Sequence, residues 1–132
     1  MKSTPHFLNV DLELRSSSSP SLVIQAFGDA IHLLYNGPCE GPNSTQLTTF
    51  EVEIEGENGP ENKIAKLCFL IEKLSENASK EWLACHSRRF DIGIQIEHFE
   101  ETFSTILSRQ TIERCAALGC EIAFTIYPIK TQ

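Results

Sequence analysis

The chain has 132 residues, 41% hydrophobic and 22% charged, with a formal charge of −7. That length suits one domain, read as residues 1–132, which can bury roughly two thirds of the unfolded chain's surface without a staple. The acidic balance excludes a general affinity for DNA, RNA or anionic membrane, which need basic patches, and leaves room for a basic protein partner.

Residues 6–14 alternate cleanly. Leu8, Val10, Leu12 and Leu14 share one side, with Asn9, Asp11 and Glu13 on the other, as a strand requires. Arg15 and the serine run after it read as a loop. Ser19-Pro20 reads as an N-cap followed by proline at the first helical position. Leu22, Val23, Ala26 and Phe27 make a short apolar stripe, and Gly28 ends the helix. Residues 30–35 read as a short strand at a sheet edge. Residues 36–44 hold Gly37-Pro38 and Gly41-Pro42 and read as a loop or irregular hairpin.

A third strand follows over residues 48–54: Thr48, Phe50, Val52 and Ile54 alternate with Thr49, Glu51 and Glu53. Gly56-Glu57-Asn58-Gly59 reads as a turn, and Pro60 opens the main helix. Its stripe is Ile64, Leu67, Cys68, Ile71 and Leu74, with Lys63, Lys66, Glu72 and Lys73 on the other side. The pattern weakens over residues 75–79. Trp82 and Leu83 then pack in a last turn or a second short helix.

Residues 90–97 carry the strongest alternation. Phe90, Ile92, Ile94 and Ile96 form one apolar side of a central strand, covered on that face. Phe103 and Ile106 read as pins of a loop. Ser108 caps the last helix, Leu107 and Ile112 form a hydrophobic staple, and Ile112, Cys115, Ala116 and Leu118 are its buried stripe. After Gly119, Cys120, Ile122, Phe124 and Ile126 face inward from a final strand that Pro128 terminates.

The order is β-α-β-β-α-β-α-β. It predicts an α+β fold: a single mostly antiparallel sheet with its helices on one face. A split β-α-β, ferredoxin-like core is extended by a C-terminal helix and strand. No apolar run approaches the roughly 20 residues needed to span a bilayer. Alternation starts within a few residues of Met1 and leaves no signal-peptide pattern. Cys39, Cys68, Cys85, Cys115 and Cys120 fit neither a zinc nor a redox spacing, so reduced thiols and a cytoplasmic location are expected.

Several segments resemble a bacterial α+β family known only as a domain of unknown function, of the 4279 type. They are Leu107-Ser108, Ile112 through Ala117-Leu118-Gly119, and Ile122-Ala123-Phe124-Thr125-Ile126-Tyr127. Layout is similar too: the first strand before Ser19-Pro20 and Gly28, and the Phe50-to-Ile54 strand before a long helix. The family's proline-threonine stretch after the first helix is replaced here by Gly28-Asp29-Ala30. The resemblance implies a fold and transfers no catalytic residue. It also implies a link to immunity proteins that accompany bacterial toxins.

No metal, cofactor or catalytic residue is assigned. The histidines lack metal-binding spacing, and Cys85-His86 lacks a third orienting group, so Cys85 is read as packed beneath Trp82 and Leu83. The lead is the polar face of the sheet. Parity collects Asp11, Glu13, Glu51, Glu53, Asp91, Glu97 and Glu121 there, with no lysine or arginine interrupting those positions. Asp91 and Gln95 flank Gly93 on the same face; the glycine is read as relieving crowding, with a bulge or a ligand's approach as the alternatives. The face is either a solvated surface or the docking site of a basic partner. A small-molecule site or small enzyme site between sheet and helices is the competing reading. A sheet edge is where two copies would meet.

Overall fold

Period-two alternation becomes one five-stranded sheet, seen in a computed structural model that describes residues 6–41, 46–54, 59–96, 102 and 104–128. The strands are β1 (His6–Ser16), β2 (His32–Pro38), β3 (Gln46–Glu51), β4 (Ser87–Ile96) and β5 (Glu121–Pro128). Their spatial order is β2-β3-β1-β4-β5. β1 runs antiparallel to β3 and β4, β2 runs antiparallel to β3, and β5 runs parallel to β4. The sheet is therefore mixed. Parallel neighbours need a crossover connection, and the described residues between β4 and β5 include one helix to make it.

The helices are α1 (Ser21–Phe27), α2 (Pro60–Glu72), α3 (Glu76–Ala84) and α4 (Arg109–Ala117), with a 3-10 turn over Gly28–Ala30. All four cover the same face. Val23 and Phe27, Ile64, Leu67, Cys68 and Ile71, Trp82, and Cys115 join one core with Val10, Leu12, Leu14, Phe50, Phe90 and Ile92. Burying each such large side chain stabilises the fold by roughly 1.5–3 kcal/mol. The Phe27 and Phe50 rings meet edge to face at 5.1 Å, and the Trp82 indole donates to the Leu118 carbonyl at 3.0 Å.

Two helix ends are capped from a distance. Ser19 is not the N-cap of α1: the helix begins one residue later than its sequence suggests, and its cap position, Pro20, offers no side-chain bond. Glu81 of α3 supplies that bond, accepting from the Val23 N–H at 2.9 Å. At α4, Ser108 is the cap that its sequence predicts, accepting from the Thr111 N–H. Glu61 of α2 adds to it, accepting from the Ser108 N–H and from the Ser108 and Thr111 hydroxyls.

Other expectations shift. β1 continues through Arg15 and Ser16, which pair with Leu47 and Gln46. β2 is the edge strand expected, and it runs on through Gly37-Pro38, so of the loop or irregular hairpin expected there the hairpin is found, pairing antiparallel with β3 across a register shift. β3 starts earlier and ends at Glu51, with Val52 still buried beyond it. α3 is a separate helix, capped by Ser75. Lys63 is not on a solvated side: it is buried, with Nζ 5.8 Å from the Phe7 ring centre. Ile112 and Ala116 are exposed, and Thr111 and Cys115 form the buried side of α4. Phe124 and Ile126 are 58% and 59% exposed, because the helix layer that buries Phe90, Ile92 and Ile94 stops short of β5. The residue 56–58 turn and Phe103 lie outside the described residues.

Candidate interaction face of the sheet

The face away from the helices is built in cross-strand rows. One row runs His32, Glu51, Asp11, Asp91 and Ala123 across β2, β3, β1, β4 and β5. Three carboxylates are therefore direct neighbours, with Asp11 in the middle. Opposed like charges on adjacent strands repel. The next row runs Tyr35, Thr49, Glu13, Arg89 and Glu121.

Asp11 bears the cost. Its side chain is half-buried, and Oδ1 is shielded from solvent with no hydrogen-bond partner. Burial, then the charges of Glu51, Glu13 and Asp91, push its pKa up to about 6; Lys63 pulls weakly the other way. Glu13 is also raised, by burial and then by Asp91, while Arg89 and Arg15 lower it. Asp91 has a partner: the Thr125 hydroxyl donates to Oδ1 at 2.7 Å.

Of the residues expected on this face, Asp11, Glu13, Glu51, Asp91, Gly93, Gln95 and Glu121 lie in its rows. Glu53 follows the end of β3, and its carboxylate sits 3.6 Å from His32 of β2. Glu97 lies outside the described residues. The expectation that no arginine interrupts the face is wrong. Arg89 stands opposite Glu13 and 3.3 Å from Glu121, and Arg15 follows two places after Glu13. The same parity places both, once β1 and β4 are allowed to run past Leu14 and before Phe90.

Gly93 lies beside a register shift. Phe7 pairs with Ile94 and Asn9 with Gly93, so Leu8 is the extra residue of a bulge in β1. The shift brings Phe7 to the core face, where it packs at the rim. A Cβ on Gly93 would stand 3.3 Å from the Asn9 Oδ1 and 3.5 Å from the Tyr127 ring. Glycine therefore makes room for Asn9 and Tyr127. Crowding and a neighbouring bulge both hold here.

The helix side offers little reactive chemistry. Cys85 is buried, donates toward the Glu81 carbonyl at 3.5 Å, and has its thiol pKa raised by burial, the opposite of an activated nucleophile. His86 instead contacts Ser17. A groove between α2 and α4 is lined by Glu61, Glu72, Thr111 and Arg114, already bonded to one another or to Ser108. The Arg114 guanidinium holds the Glu72 carboxyl below its usual range. Among the described residues no cluster of histidine, cysteine and carboxylates is arranged to hold a metal ion. Among the described residues no helix is long and apolar enough to cross a membrane. No family model, curated protein or solved structure matches the chain.

Proposed function

We propose that this protein is a small non-catalytic binding protein whose open acidic sheet face docks a cationic protein. The observation that carries the reading is Asp11. Its carboxyl is central in a row of three, has one shielded oxygen without a partner, and is held up to about 6 by burial and its acidic neighbours. A lysine or arginine brought by a partner would relieve that repulsion and satisfy that oxygen in one step. Arg89 and Arg15 lie toward one end of the face and give a docked cation a direction to avoid. The partner class follows the family resemblance: a basic toxin neutralised by occlusion. The order β4-β1-β3-β2, antiparallel at every pairing, supports a split β-α-β unit for the first four strands.

The test uses two variants of equal net charge. One replaces Glu51, Asp91 and Glu121 by their amides; the other replaces Glu40, Glu76 and Glu113, which are exposed elsewhere. A lysine-rich peptide is the probe, and its association rate is followed as salt rises. The reading expects slower association for the face variant alone, with the difference fading once screening shortens to about 3 Å at molar salt. Equal slowing by both variants reduces the face to a solvated surface.

A further inference from the structure

We propose that two copies of this chain pair through the outer edge of β5, antiparallel about a twofold axis at Phe124. This edge borders the acidic face at Glu121 and Ala123, and neither reading rests on the other. Among the described residues β5 ends the sheet, so the backbone groups on its far side have no strand partner. An edge is normally blunted by charge, proline or a bulge. The other edge strand, β2, has such devices: a register shift between Leu33 and Tyr35, then Gly37 and Pro38. β5 pairs with β4 without a register shift and carries no charge from Ile122 to Tyr127.

The side chains point to a strand of the same sequence. Phe124 and Ile126 pair in register with buried Ile92 and Ile94, yet stand 58% and 59% exposed. A partner must extend the apolar layer beyond β5 and keep the same in–out alternation. In the twofold arrangement Phe124 faces its own copy and Ile122 faces Ile126 on that side; Ala123 faces Thr125 and Glu121 faces Tyr127 on the other. No like charges meet, and Pro128, which cannot donate, stays outside the ladder. Centring the pair on Thr125 would bring Pro128 opposite Ile122. The register is thus self-complementary, as an isologous contact requires.

Size sets the strength. An aromatic residue presents roughly 150–250 Å², so Phe124 and Tyr127, 58% and 47% exposed, each offer on the order of 100 Å². With Ile126 and the strand backbone, each copy contributes on the order of 400 Å², about 800 Å² for the pair and below the roughly 1,200 Å² at which stable interfaces begin. The dimer is therefore weak and reversible.

Sedimentation equilibrium of the full chain across a wide concentration range tests this. Wild type should show a reversible monomer–dimer equilibrium. Phe124→Lys and Phe124→Glu should each be monomeric under the same conditions, and their equimolar mixture should regain a dimer at low salt, because the two charges face each other. Hydrogen exchange on wild type needs no variant: amides of residues 121–127 should slow as concentration rises, and those of His32–Pro38 should not. A wild type that stays monomeric throughout, variants that dimerise like wild type, or protection that rises at β2 instead would each overturn the proposal.

Discussion

Replacing Asp11 by asparagine should stabilise the protein at neutral pH. The carboxyl titrates near 6 in the folded chain against a reference of 3.8. Two units correspond to about 3 kcal/mol if all of the shift reaches stability. The side chain is only half-buried, and solvent screens its repulsion, so about 1 kcal/mol is the working figure. The folded state holds the proton more tightly than the unfolded chain does. The penalty is therefore absent below about pH 4, accumulates as pH rises to about 6, and is constant above that. An amide removes the charge and can donate to the carboxylates on either side. Calorimetric melts of wild type and Asp11→Asn at pH 7.5 and pH 4.0 isolate this group from Glu61 and Glu72, whose lowered pKa values act in the other direction. The variant should melt about 2–6 °C higher at pH 7.5 and level with wild type at pH 4.0. Destabilisation at pH 7.5, or an equal gain at both pH values, would refute the account of the carboxylate row.

Gly93→Val should cost about 1–3 kcal/mol in urea unfolding, since the new side chain meets Asn9 and Tyr127; an unchanged midpoint would dismiss crowding. Ser108→Ala should cost about 1 kcal/mol by removing the α4 cap and a donor to Glu61. Glu81→Gln should cost less than Glu81→Ala, because the amide oxygen can still accept from the Val23 N–H. None of the five cysteines is in a disulfide, and a thiol reagent should reach half-buried Cys39 before buried Cys68, Cys85 and Cys115, which should react only on unfolding.

Strand parity made most of the sheet legible, because side-chain direction alternates whatever the tertiary context. It put Val10, Leu12, Leu14, Phe50, Phe90 and Ile92 in the core and Asp11, Glu51 and Asp91 on the far face. It failed where one extra residue breaks the period: the register shift between Phe7 and Asn9 brings Phe7 to the core face. Arg15 and Arg89 were within its reach, and trimming the strands hid them. Parity also reports which way a side chain points without reporting whether anything lies there, so the exposure of Phe124 and Ile126 was invisible. Distant caps leave no local trace. Glu81 is 58 residues from Val23 in the chain, and only the packing of α3 against α1 brings them together.

The two faces of the sheet are under opposite demands. On the helix side, β1 and β4 meet as Val10 with Ile92 and Leu12 with Phe90, all fully buried, and this side supplies the driving force for folding. On the other side the same two strands meet as Asp11 with Asp91, where every deprotonation works against that pairing. The central strands are fixed by their apolar side, so they hold the carboxylates together against repulsion and the acids cannot drift apart. Oriented charge at low cost in reorganisation is what fast recognition of a cation needs. Near one end of the face the acids have partners, Glu13 facing Arg89 and Arg89 reaching Glu121, so the uncompensated charge is concentrated on Glu51, Asp11 and Asp91. A cation docking on this protein should therefore centre on Asp11, and affinity for it should rise as pH climbs through about 6, where that carboxyl loses its proton.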